Sequence, residues 1–299
     1  MTSQVVASGP DDALLALRAA APGRVCVVPQ PSSGGSAAVR ALREVEFLVL
    51  EHQRTDLLPV LGELPALRLV QTLIAGAEWL EPYLPDRVRL SRPAGARDNA
   101  VAEWVAAALL GLAGGLLPAV REQHRREWRR AESAELAGAR VVLIGAGSIG
   151  RCARDKLAGL GAAVTVVART GRPEVYPVTA LADLVTDADA VVLLVPATAE
   201  TTGLAGAGLL ARMPDGAVLV NAARGTVVDT AALTAEVLSG RLLAVLDVTD
   251  PEPLPPEHPL WTAAGCFLSP HIAGATRQGR ARAIEAAARR LARYARGER

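Results

Sequence analysis

Ala139-Arg-Val-Val-Leu-Ile-Gly-Ala-Gly-Ser-Ile-Gly150 is the segment that decides how the rest of the chain folds. Ala139 to Ile144 is a largely apolar run suited to a strand buried on both faces, and Arg151 to Leu160 carries a helical pattern. The glycines between them fall where a strand-turn-helix dinucleotide site needs them. Gly145 permits the tight turn, Gly147 lets the backbone approach a pyrophosphate, and Gly150 lets the helix pack on the strand. The free N–H groups at the helix start suit a phosphate. The segment predicts a Rossmann unit.

The next strand reads Ala163-Val-Thr-Val-Val-Ala168, and an NAD-binding unit usually ends it with a carboxylate for the ribose hydroxyls. Ala168 stands there instead, followed by Arg169-Thr-Gly-Arg172. Guanidinium groups bind a 2′-phosphate bidentately, whereas NAD offers them no charge to match. Arg169, Thr170 and Arg172 therefore favour NADP(H), with NAD(H) as the alternative.

Ala190–Val195, Ala217–Asn221 and Leu243–Asp247 read as further strands of the same parallel sheet. Asn221, Arg224 and Asp247 then lie at strand ends, where open α/β sheets bind ligands. Asp229 reads as the N-cap of the following helix. Before the glycine turn, Arg24–Val28, Val45–Leu50 and Leu67–Thr72 form a second strand-helix rhythm, so a smaller α/β domain precedes the Rossmann unit. The loop Ile74-Ala-Gly-Ala-Glu78 follows the third of these strands, and its N–H groups suit a carboxylate.

Bulk properties exclude several classes. The 299 residues suffice for two domains, and a formal net charge of +1 gives no attraction for nucleic acid or an anionic membrane. Lys156 is the only lysine, and the arginine and alanine richness reflects coding bias. Cys26, Cys152 and Cys266 are scattered without metal-ligand spacing, which predicts reduced thiols in a cytoplasmic protein and no metal site. Met1-Thr-Ser-Gln4 does not begin a signal peptide. Trp104–Val120 is uncharged but short for a span and interrupted by Gly111, Gly114, Gly115 and Pro118, so it reads as a helix covered by another domain or subunit. The arginine-rich end carries an apolar stripe, Ile284, Ala288, Leu291 and Ala295, expected of an amphipathic docked helix.

Three polar residues follow the glycine turn in order: Arg224 in Asn221-Ala-Ala-Arg-Gly225, Glu252 in Pro251-Glu-Pro253, and His271 in Ser269-Pro-His-Ile272. A guanidinium, a carboxylate and an imidazole together can bind and protonate a 2-oxo acid. His52, His124 and His258 gain no comparable support.

The run Leu219–Asp229, then Leu246–Leu254, His258-Pro-Leu-Trp261 and Ser269–Gly274, resembles the D-isomer-specific 2-hydroxyacid dehydrogenases, of the glyoxylate/hydroxypyruvate reductase-like kind. The likeness extends back through Val195–Thr201, the glycine turn, Trp128 and Asn99–Glu103. It implies a formate/glycerate dehydrogenase-like fold. A Rossmann dinucleotide-binding domain (99–275) is inserted into a flavodoxin-like substrate domain (1–98 with 276–299). It also implies a homodimer joined through the helices around 100–130.

By the same resemblance, Arg224 binds the substrate carboxylate, His271 protonates the carbonyl oxygen, and Glu252 hydrogen-bonds His271. A carboxylate beside an imidazole favours its protonated, proton-donating form. Asp247 meets the nicotinamide carboxamide, and Ser148 and Ile149 lie against the pyrophosphate. Pro196, Thr201, Ala222, His271 and Gly274 complete the implied cofactor site, and Ala75, Gly76 and Ala77 join Arg224 and His271 around the substrate. The loop Ala75-Gly-Ala-Glu78 departs from a common Gly-Val-Asp pattern, and Phe47 and Phe267 are the only phenylalanines. Glyoxylate, hydroxypyruvate or a small aliphatic 2-oxo acid fits such a pocket. Two other roles stay open: a nucleotide-sensing, corepressor-like protein on the same fold, and a dehydrogenase of phosphite or formate.

Overall fold

The computed structural model describes residues 5–51 and 54–298. The readings of Met1–Gln4 and His52 lie outside these residues. The chain forms two compact units, Met1–Arg97 with Thr276–Arg299, and Asp98–Ala275.

The first unit holds five strands: β1 (Val5–Gly9), β2 (Val25–Pro29), β3 (Phe47–Leu50), β4 (Leu69–Thr72) and β5 (Arg89–Ser91). All pair in parallel in the order β2-β1-β3-β4-β5, the flavodoxin-like arrangement. β3 and β4 are buried at every position, which is why they read as unbroken apolar runs. Their side chains alternate between two cores. Leu48, Leu50 and Val70 face helix α2 (Ser36–Leu42) and the 3-10 segment Thr55–Glu63. Phe47, Val49 and Leu69 face α1 (Leu14–Ala20) and the C-terminal helix.

In the second unit, β6 (Arg140–Ile144), β7 (Ala163–Ala168) and β8 (Val175–Pro177) lie to one side. β9 (Ala190–Leu193), β10 (Val218–Asn221), β11 (Leu243–Leu246) and β12 (Cys266–Leu268) lie to the other. The order is β12-β11-β10-β9-β6-β7-β8, all parallel, with the direction of winding reversing between β6 and β9. Val141, Leu143, Val192 and Val220 pack towards α3 (Asp98–Ala113) and α5 (Ser148–Gly159), beyond α4 (Leu116–Arg125) in the chain. Val142, Ile144, Leu193 and Leu219 pack into the opposite core with α6 (Leu181–Leu184), α7 (Ala207–Leu210) and α8 (Thr230–Leu238). α9 (Arg277–Ala295) returns the chain to the first unit.

Three expectations are corrected. The single helix read over Trp104–Val120 is two, α3 and α4, bent by 62° where Gly115 adopts φ +74°. Ala102, Val105 and Leu109 of α3 are buried, but α4 buries no residue, so only the first half of the apolar run is covered. No single helix among the described residues is long and apolar enough to cross a membrane. Of the stripe expected on α9, Leu291 is buried while Ile284, Ala288 and Ala295 are half-buried, and Gly279, Ala283 and Ala287 complete the buried line. The strands β5, β8 and β12 were absent from the sequence reading, since three residues carry no periodicity, and so was the five-residue β1.

Candidate active site

The glycine turn occupies the point where the winding of the second sheet reverses. Gly145 has φ +125°, and a Cβ there would lie 2.2 Å from the carbonyl oxygen of Leu194. A Cβ on Gly150 would lie 1.8 Å from the carbonyl oxygen of Gly145. Both positions thus exclude any side chain, one through the chain leaving β9 beside the turn and the other through the seating of α5. Gly147 differs, with no protein atom within 4 Å of the position a Cβ would take. It is the N-cap of α5 without a side chain to cap the helix, so the N–H groups of the first turn face open space. A cofactor pyrophosphate fits this cradle, and Ser148 and Ile149 begin the helix that would receive it.

The rim beyond β7 is cationic. Arg169, Thr170 and Arg172 are exposed, and Arg172 Nη2 donates to the Ala146 carbonyl at 3.0 Å. No acidic side chain stands at the end of β7, where Ala168 is half-buried. In the loop after β9, the Thr201 hydroxyl donates to the Pro196 carbonyl at 2.6 Å and accepts the Thr198 N–H at 2.8 Å. Thr201 therefore shapes the loop that presents Pro196.

Asn221, at the end of β10, is buried and clamps the loop that follows. Its Nδ2 donates to the Arg224 carbonyl at 3.0 Å, and its Oδ1 accepts the Ala223 N–H at 3.0 Å. Ala222 lies within this clamp, its N–H donating to the Leu193 carbonyl at 3.3 Å. Arg224 is half-buried, with Nη1 donating to the Ala223 carbonyl at 2.6 Å. Gly225 brings this loop against the next, since a Cβ there would lie 1.9 Å from the Thr249 carbonyl oxygen. Asp229 caps α8, accepting the Ala232 N–H at 3.0 Å.

Glu252 and His271 meet directly: Oε1 of the carboxylate lies 2.6 Å from Nδ1 of the ring, and both side chains are exposed. The pair thereby orients the ring and leaves Nε2 as its outward nitrogen. His271 also has φ +54°, an uncommon conformation for a residue with a Cβ. Asp247 holds it there. The Asp247 carbonyl accepts the His271 N–H at 2.8 Å, while its carboxylate accepts Ser269 Oγ at 2.6 Å, Ile272 N–H at 2.7 Å and Ala273 N–H at 2.8 Å. Asp247 is 3% exposed, and its carboxylate, expected beside the nicotinamide, fixes residues 269–273. Gly274 follows this fixed segment and is half-buried. Sequence reasoning missed Asn221 as a clamp and Ser269 as a partner of Asp247, although both stand within three residues of a recognised site residue.

In the first unit, Ala75, Gly76 and Ala77 follow β4. The Leu73 carbonyl accepts Arg97 Nε at 2.9 Å, the Ile74 carbonyl accepts the Thr72 hydroxyl at 2.8 Å, and the Gly76 carbonyl accepts Trp79 Nε1 at 3.2 Å. The Ala77 carbonyl accepts Leu80 N–H at 3.0 Å, so four of the loop's carbonyls, those of residues 73, 74, 76 and 77, are engaged. Among the described residues, the N–H groups of Ala75, Gly76 and Ala77 have no protein partner, which suits an anion. Trp79, three residues beyond Gly76, was not singled out from the sequence.

No group of three or more metal-ligating side chains occurs among the described residues. The fold and the cradle define a dinucleotide-binding protein of the Rossmann class. Residues 106–273 match the family model described as D-isomer specific 2-hydroxyacid dehydrogenase, NAD binding domain. The chain is 32% identical over 254 residues to a glyoxylate reductase of Thermofilum pendens, covering 80% of this chain and 75% of that one. It is 30% identical over 249 residues to a glyoxylate reductase/hydroxypyruvate reductase of Mus musculus, covering 78% and 75%. A D-isomer specific 2-hydroxyacid dehydrogenase from Xanthobacter autotrophicus Py2, solved in complex with NADPH and MES, superposes with a TM-score of 0.81 at 29% identity, covering 99% of this chain and 96% of that one. The chain belongs to the D-isomer specific 2-hydroxyacid dehydrogenase family and is an NAD(P)-dependent oxidoreductase.

Proposed function

We propose that the protein reduces a small 2-oxo acid, such as glyoxylate or hydroxypyruvate, to the 2-hydroxy acid, the D isomer where the product is chiral, with NADP(H) preferred over NAD(H). The observation that carries this reading is the 2.6 Å contact between Glu252 and His271 on a loop held by Asp247. The bound nicotinamide supplies the hydride. Arg224 binds the substrate carboxylate through its planar fork, and the loop Ala75–Ala77 offers N–H groups to the same charge. His271, protonated, gives its Nε2 proton to the carbonyl oxygen, and Glu252 stabilises the imidazolium and holds the ring. The neutral ring then regains a proton from solvent. In the reverse direction it accepts the hydroxyl proton.

Gly145, Gly147, Ser148, Ile149, Gly150, Pro196, Thr201, Ala222, Asp247 and Gly274 form the proposed cofactor site. Exposed Arg169, Thr170 and Arg172, with Ala168 in place of an acid, support NADP(H), as does the NADPH in the Xanthobacter protein. The exposed apolar surface of Leu110, Leu116, Val120 and Trp128, the last 96% exposed, supports a homodimer through α3, α4 and the segment that follows. Three free thiols fit the reducing cytoplasm.

The test is NADPH and NADH oxidation measured against a panel of 2-oxo acids. Turnover of a small member, faster with NADPH, is the expected result. Tight NADPH binding without turnover of any member would favour the nucleotide-sensing role, and turnover only with phosphite or formate would favour the other.

A further inference from the structure

We infer that Arg151 is a further guanidinium of the 2′-phosphate site, an assignment that rests on the NADP(H) reading above. Arg151 directly follows the third glycine of the turn and lies in the first turns of α5. Its Nη1 donates to the Ala146 carbonyl at 3.3 Å. Arg172, from the loop after β7, donates to the same oxygen at 3.0 Å. Two permanent cations therefore converge on one neutral acceptor.

Neither is in an ion pair among the described residues, and both are exposed. The next arginine of the helix shows the contrast: Arg154 lies 2.8 Å from Asp155 and 3.9 Å from Glu174. Like charges sharing a carbonyl repel each other, and the arrangement becomes favourable when a dianion lies between them.

The position selects which anion. Gly145 N–H donates to the Val167 carbonyl at 2.8 Å, so the turn is tied to the end of β7, beside which a Rossmann fold places the adenosine ribose. The pyrophosphate is served separately by the N–H groups at the start of α5. A phosphate on the ribose 2′ position would meet Arg151 and Arg172 together, whereas NADH presents only a hydroxyl there.

Calorimetric titration of the full chain with adenosine 2′,5′-bisphosphate and with AMP isolates the 2′-phosphate, the one group by which the two differ. R151Q and R172Q alter exposed side chains, so both variants keep the fold. R151Q is expected to weaken the bisphosphate by about 10-fold or more while changing AMP by less than about twofold. The ratio of kcat/KM for NADPH over NADH should fall in parallel, and R151K should fall between wild type and R151Q because it keeps charge without the fork. If R172Q discriminates and R151Q does not, Arg151 is excluded and the NADP(H) reading stands. An equal loss for both nucleotides in R151Q also overturns the assignment, because Arg151 would then serve the shared phosphate. If wild type binds the two nucleotides equally, the NADP(H) reading falls and Arg151 with it.

Discussion

Glu252 and His271 are joined by a 2.6 Å contact from carboxylate to Nδ1, and the backbone of His271 is held at φ +54° by the carbonyl of Asp247. One partner orients the ring and the other fixes the chain that carries it. H271Q should leave cofactor affinity nearly intact and lower the reduction rate by roughly 10² to 10⁴, the usual contribution of a positioned general acid. Wild-type turnover in H271Q would remove His271 from proton transfer.

E252Q removes the charge and keeps the shape. Without the carboxylate the ring loses the partner that orients it, so kcat for reduction should fall by roughly 10-fold or more while cofactor affinity stays close to wild type. Steady-state kinetics with NADPH binding measured alongside check this. An unchanged kcat would mean that the 2.6 Å contact does not govern the proton donor.

R224K keeps a positive charge at the end of β10 but loses the fork. KM for the oxo acid should rise and kcat should fall together, by roughly 10-fold or more in kcat/KM. Kinetics matching wild type would place the carboxylate wholly on the Ala75–Ala77 loop.

Cofactor choice is testable by the double change Ala168→Asp with Arg169→Ala, which restores a ribose acceptor and removes a phosphate partner. The NADPH/NADH preference should move towards NADH by about 10- to 150-fold for a lost charge-assisted contact. Because the arginines are exposed, the wild-type preference should also weaken as salt is raised. An unaltered ratio would make Arg169 an ordinary surface charge.

The first unit has its own pH dependence. Asp12 accepts two hydrogen bonds from Arg280, at 2.6 and 2.9 Å, and this contact holds its carboxyl below the usual carboxylate range. A lowered folded-state value contributes stability above the unfolded value of about 3.9 and loses it as pH falls through the folded one. D12N should therefore melt below wild type at neutral pH, and the gap should close below about pH 4. Scanning calorimetry between neutral and acid pH decides this, and a gap independent of pH would count against the pair.

Much of this was legible in the sequence because the signals are local. The glycine turn works by excluding side chains at Gly145 and Gly150, and glycine itself is visible in the chain. β3, β4, β9 and β10 are buried on both faces and so read as apolar runs. What escaped depends on where side chains arrive from distant segments. Asp247 looked like a strand-end carboxylate, and only folding shows its oxygens taken by Ser269, Ile272 and Ala273. Arg151 entered the sequence reading only as the start of a helix, and its meeting with Arg172 at one carbonyl is visible only in the fold. The bend between α3 and α4 was signalled by Gly114-Gly115, but the apolar content of the run outweighed it.

The most direct measurement is the configuration of the product. Hydroxypyruvate is reduced by the purified protein with NADPH, and the glycerate formed is resolved by chiral chromatography. In the proposed arrangement, carboxylate binding at Arg224 and the hold of His271 on the carbonyl oxygen fix which face of the carbonyl receives the hydride, and D-glycerate alone is expected. The L isomer, a racemic mixture, or NADPH binding with turnover of neither hydroxypyruvate nor glyoxylate would contradict the proposed reaction.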